Sequence, residues 1–202
     1  MPSRVIKIKG QEVTEMIYLS KGVVQRGSTE QRLAIFHLGQ TFQLVMTEAA
    51  LWLKGRFGFA VSSRPSQEHA LMHLEKMGLV ETEPEDNEMA RYRILTRCIC
   101  CPVKTAGIQL PVGRQEKELL NWLQHAGIRL SVAELVFLKE HQIKQEPKLL
   151  YGENRQALVE AIYTEATIMD QLLEQQMESA ACRDGVVRSL QRLLEKKRVL
   201  ML

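Results

Sequence analysis

The sequence predicts a mainly α fold with small β-hairpins, divided into two domains. Three observations predict it. The chain has 202 residues, enough for two domains of about 100 residues with one modest core each. Apolar residues recur at helical spacing through much of the chain, above all in its second half. Finally, Leu74-Glu75-Lys76-Met77-Gly78-Leu79-Val80 returns in altered form 120 positions later as Leu194-Glu195-Lys196-Lys197-Arg198-Val199-Leu200. Each copy closes an amphipathic stretch and opens an apolar, strand-like one.

In order, Val5-Ile6-Lys7-Ile8-Lys9 reads as either an edge strand or a basic arm. Ser28 or Thr29 is expected to cap a helix over Arg32–Leu38 that closes at Gly39. Thr41–Val45 leans toward a strand. Thr47 is expected to cap a helix over Glu48–Lys54, broken by Gly55 and Gly58. Ser63-Arg64-Pro65-Ser66 starts the next helix, with Pro65 in its first turn. Ala70, Leu71, Leu74 and Met77 make its apolar face, and Gly78 its left-handed C′ residue. Leu79-Val80 begins a strand, Pro84–Asn87 turns, and Met89–Leu95 is expected to return as the partner strand.

Pro102–Gly113, with two Pro and two Gly, is the expected linker between domains 1–101 and 114–202. Glu118, Leu119, Trp122 and Leu123 mark a helix ending at Gly127. Ser131 with Glu134 predicts a capping box for a helix over Val132–His141, with Pro147 stopping the run. Two more helices are expected over Asn154–Tyr163 and Ile168–Met177, the latter capped by Thr167. A last one carries Val186, Val187, Leu190, Leu193 and Leu194 before the apolar end Val199–Leu202.

The helix order, with Ser63-Arg64-Pro65-Ser66 leading to Leu74–Val80 and the later Leu194–Leu200, resembles bacterial winged helix-turn-helix transcription regulators of the MarR, ArsR and PadR pattern, over about residues 28–97 and 154–202. The resemblance implies tandem winged-helix domains. It also implies a recognition helix in the major groove, a wing over the adjacent phosphates and a homodimer reading paired half-sites. On that reading Arg64, Gln67, His73 and Lys76 in the first domain, and Arg183, Arg188, Arg192 and Lys196 in the second, are the candidate contacts to double-stranded DNA. Arg188, Arg192 and Lys196 fall at i, i+4 and i+8 and form one basic stripe opposite Leu190 and Leu194. A solvated helix face is the plain alternative.

Two departures from the pattern bear on function. The second domain has room for only a stub of a wing. The wing of the first holds Glu81, Glu83, Glu85, Asp86 and Glu88, which repel phosphate, so Glu81–Glu88 is expected to face either solvent or a basic protein partner. The alternative function is therefore a non-catalytic interaction module, as tandem winged helices also serve in chromosome-segregation and replication-initiation assemblies.

Net charge of +3 permits nucleic-acid binding without demanding it. Cys98, Cys100, Cys101 and Cys182 are the candidate metal ligands, yet a strand sends Cys98 and Cys100 to one face and Cys101 to the other. Buried structural thiols are the competing expectation, and no metal or other cofactor is expected. His69 and His73 share helical two-His spacing but lack a further ligand set. No phosphate-binding loop, nucleophile elbow or zinc-protease motif occurs, so an enzyme is not expected. With neither a signal-peptide pattern nor an apolar run of membrane-spanning length, a cytoplasmic protein without membrane contact is expected.

Overall fold

The computed structural model describes residues 5–8, 11–29, 32–103, 110–126, 130–144, 146, 148, 151–157, 160 and 177–202. It combines helices with small antiparallel sheets. The chain forms two compact units: Met1–Cys98 together with Leu200–Leu202, and Ile99–Val199.

The first unit begins with the hairpin of β1 (Val5–Ile8) and β2 (Gln11–Thr14). Strand β3 (Met16–Ser20) then runs through the middle of a three-stranded sheet, flanked by β7 (Ala60–Ser62) and β8 (Val80–Glu83). A second sheet is the meander β4 (Val23–Val24), β5 (Leu33–His37) and β6 (Gln40–Leu44). Helices α1 (Met46–Lys54) and α2 (Pro65–Lys76) pack together. Their buried Leu51, Trp52, Leu71 and Leu74 share one core with Tyr18, Leu33, Ile35 and Leu44. Buried polar ends inside it are satisfied by backbone: Tyr18 Oη donates to Leu51 O at 3.1 Å, and Trp52 Nε1 donates to Lys21 O at 2.9 Å. Gly55 permits the close approach of α1 to β3, since a Cβ there would stand 2.6 Å from Ser20 Oγ.

Two expected elements of this unit take another form. Arg32–Leu38 is not a helix but the strand β5, closed onto β6 by the two-residue turn Leu38-Gly39, with φ of 47° and 82°. The alternation Leu33, Ile35, His37 puts those three side chains inward, and that period-two burial decides for strand over helix. Met89–Leu95 is not a wing strand but part of α3 (Glu88–Thr96). Asn87 Oδ1 accepts from Ala90 N–H at 2.8 Å as an N-cap, and Ala90, Ile94 and Leu95 form the buried stripe. With that segment helical, β8 finds its antiparallel partner in β3 instead. The first-domain wing therefore does not form. Nor is α2 the second half of a helix-turn-helix, because strand β7 precedes it. Helix α1 starts at Met46 after Val45, so Thr47 is not its cap.

The second unit holds β9 (Cys100–Pro102), α4 (Arg114–Ala126), α5 (Val132–Glu140), α6 (Met177–Glu195) and the start of β10 (Val199–Met201). Val103 N–H donates to Arg198 O at 2.8 Å where β9 meets β10. Helices α4 and α5 both pack on α6, burying Leu119, Trp122, Leu123, Leu135 and Leu138 together with Val186, Val187, Leu190, Leu193 and Leu194. The Ser131 capping box is present in full. Residues 152–157 are helical; the rest of the helix expected over Asn154–Tyr163, apart from Glu160, and nearly all of Ile168–Met177 lie outside the described residues, as do Gly127, Pro147 and Thr167. The last residues rejoin the first unit, where Gly22 N–H donates to Met201 O at 2.8 Å.

Candidate interaction surfaces

On α2, the extended backbone of Arg64 precedes Pro65, which starts the helix. Arg64 is exposed and lines a shallow groove of about 250 Å³ with Met16, Glu68 and Met72. Gln67 is half-buried, with Oε1 accepting from Ser62 Oγ at 3.4 Å. His73 Nδ1 stands 2.5 Å from Glu48 Oε1 of α1, and Lys76 is exposed at the far end of the helix. Of the four expected DNA contacts in this unit, two are thus engaged with its own side chains. The exposed Glu68 and Glu75 offset the two free-standing cations.

The acidic run is not an open anionic hairpin either. Lys21 Nζ contacts Glu81 Oε1 at 2.6 Å, and Arg97 Nε contacts the other oxygen at 3.0 Å. Arg97 also reaches Glu83 at 2.7 Å, and Arg91 reaches Asp86 at 2.8 Å. The basic partner foreseen for Glu81–Glu88 is in large part the unit's own Lys21, Arg91 and Arg97. Next to Lys21 and Glu81, His37 is buried with neither ring nitrogen hydrogen-bonded. Burial, reinforced by the Lys21 charge and opposed by Glu81, holds its pKa below the ordinary value. Sequence reasoning missed Lys21 and His37. The only signal for His37 was its place in the Leu33, Ile35, His37 alternation.

In the second unit the basic stripe of α6 converges on a residue the sequence did not single out. Glu116 is buried on α4 and accepts from Lys196 Nζ at 2.8 Å and from Gly113 N–H at 2.6 Å, with Arg192 Nη1 3.6 Å from its other oxygen. The Lys196 hydrogen bond, with help from Gly113 and the charges of Lys196 and Arg192, keeps its pKa low against the opposing effect of burial. Arg183 pairs with Asp184 at 2.9 Å, and Arg188 is exposed. A Glu three residues after Gly113 is the helix-start pattern that could have revealed Glu116.

All four cysteines are free thiols. Cys98 is buried in the first unit, donates to Ile94 O at 3.2 Å, and burial pushes its pKa up to about 12. Cys101 in the second unit is raised by burial to about 11, and the pKa of Cys182 is raised by burial and Glu140. Protonated thiols are poor ligands and nucleophiles. Among the described residues no three of His, Cys, Asp and Glu are placed to hold a metal ion, and no helix is long and apolar enough to cross a membrane.

Of the exposed large apolar side chains among the described residues of the first unit, Val23, Leu53 and Met72 stand on β4, α1 and α2, and the other four gather at one hairpin. Phe36, Leu38, Val45 and Met46 all lie on or beside the β5–β6 hairpin. Comparison with protein-family models, with curated proteins and with solved structures finds no match. The chain is a two-unit protein of helices and small antiparallel sheets.

Proposed function

We propose that this chain is a non-catalytic interaction protein that works through protein contacts. One observation carries the reading: charged groups singled out by sequence are largely engaged within each unit, whereas apolar side chains stand exposed around β6. A carboxylate held by two cations contributes to a fold; it does not attract a basic partner. Exposed apolar groups on one element mark a surface that gains by being covered.

A second reading, the homodimeric DNA-binding regulator, is favoured by the row of exposed Arg188 and Arg192 opposite the buried stripe of α6. A gel-shift titration against random and genomic duplex at several salt concentrations separates the two. The interaction reading expects no salt-sensitive binding at about micromolar protein or tighter. Such binding, weakened by Arg188→Ala with Arg192→Ala and with a log–log salt slope flatter by roughly 0.9 per lost phosphate contact, would replace it with the regulator.

A further inference from the structure

We propose that the outer edge of β6 pairs with the same edge of a second copy of this chain, joining two three-stranded meanders into one six-stranded sheet. The inference deepens the interaction reading by naming the partner, and so rests on it. Strand order places β5 on one side of β6 and, among the described residues, no strand on the other. The two-residue turn makes His37 and Gln40 a hydrogen-bonded pair. By alternation the backbone groups of Gln40, Phe42 and Leu44 are spent on β5, while the N–H and C=O of Thr41 and Gln43 face outward.

Open edges in monomeric proteins are usually guarded by a charge, a Pro or a bulge. Here Leu33–Thr47 contains no Asp, Glu, Lys, Arg or Pro over fifteen residues, and the β5–β6 register runs unbroken through five pairs.

The edge is complementary to itself. A two-fold axis through Phe42 sets Thr41 opposite Gln43 of the second copy and Gln43 opposite its Thr41. Both residues carry outward donors and acceptors, so four N–H···O bonds close in register, and two uncharged polar side chains meet at each pair. Beyond the two ends of β6 stand Leu38, in the β5–β6 turn, and Met46, the first residue of α1. These are the two most exposed large apolar side chains among the described residues, at 76% and 77%. Both also hold left-handed backbone, with φ of 47° and 45°, a conformation that apolar L-residues adopt at a cost. Such a contact is isologous and closes at two copies.

Light scattering and sedimentation on the whole chain test it. The expected mass is twice 23.1 kDa. Thr41→Lys with Gln43→Lys faces like charges across the axis and should weaken the dimer by about tenfold or more. These side chains are exposed and the substitutions remove only the surface hydrogen bond from Gln25 Nε2 to Thr41 Oγ1, so circular dichroism should be retained and thermal unfolding of the chain should change little. Thr41→Glu with Gln43→Glu should do the same alone, and mixing the acidic with the basic variant should restore a heterodimer. A wild-type monomer up to the solubility limit overturns the proposal. So does a dimer that ignores the lysine pair, or a mixture that fails to re-form. None of these outcomes alters the DNA titration on which the interaction reading stands.

Discussion

The two helix-to-strand junctions that recur in the sequence end alike but are built from different residues. At the close of α2, Gly78 N–H donates to Glu75 O and Leu79 N–H to Leu74 O; at the close of α6, Lys197 N–H donates to Leu194 O and Arg198 N–H to Leu193 O. Both are Schellman closures with one left-handed residue, Gly78 at φ 71° and Lys197 at φ 55°. The structural register therefore matches Gly78 with Lys197, Leu74 with Leu193 and Val80 with Val199, one step off the match of Leu74 to Leu194 that the residue letters give. A left-handed C′ residue fixes where the helix stops, whatever side chain it carries. Glycine does so without strain; lysine does so against its own preference, held by the strand that follows.

The comparison breaks first at the leucines. Leu74, Leu193 and Leu194 are all fully buried. Leu74→Ala and Leu193→Ala should each cost about 2–5 kcal/mol in the unit that holds it. Each unit has one buried tryptophan, Trp52 or Trp122, so Trp122→Phe and Trp52→Phe backgrounds let fluorescence follow denaturant unfolding of each unit separately. A loss well under this range at either leucine would show that the two closures do not seal comparable cores.

The next effect is electrostatic and differs between units. Lys196→Met leaves the Glu116 carboxylate with Gly113 and Arg192 alone and should cost about 1–3 kcal/mol in the Trp122 signal. Because the Glu116 pKa is lowered by folding, its contribution is complete above the unfolded carboxylate pKa, about 4.3, and fades as pH falls through the lower folded value. His37 is also lowered, but its unfolded pKa is about 6.5. Below that pH the unfolded state takes up a proton that the folded state resists, so the first unit should weaken earlier on acidification. Urea midpoints between pH 8 and pH 4 check this order, and coincident acid transitions in the two tryptophan signals would refute it. Glu116→Gln should flatten the low-pH limb of the second unit only.

The smallest effect sharpens the comparison most. Gly78→Ala should destabilise by about 1 kcal/mol from its left-handed backbone, as its added Cβ would meet nothing closer than His37 Nε2 at 4.0 Å. Lys197→Gly should stabilise by up to about 1 kcal/mol for the same reason. Changes of the same sign in thermal unfolding would mean that the two caps are not equivalent.

Local signals in the sequence carried those parts of the fold that depend on few neighbours. The start of α2 at Pro65, the left-handed Gly78, the capping box of Ser131 with Glu134 and the apolar stripe of α6 each follow from contacts within a turn or two of helix. Choices between two local options required the rest of the chain. Leu33–His37 has branched and aromatic residues compatible with either period, and it becomes a strand because Leu33, Ile35 and His37 face the core of the first unit. Met89–Leu95 becomes a helix because Asn87 caps it and β3, some sixty residues earlier, already pairs with β8. The charged candidates followed the same logic: spacing put Arg192 and Lys196 on one face of a helix, but only the packing of α4 on α6 brought Glu116 between them. A long-range partner leaves no mark on local periodicity, so the sequence by itself determined the helix starts, closures and apolar stripes that depend on a turn or two of chain, and tertiary structure decided the sheets, the choice between helix and strand at Leu33–His37 and Met89–Leu95, and which charges are engaged.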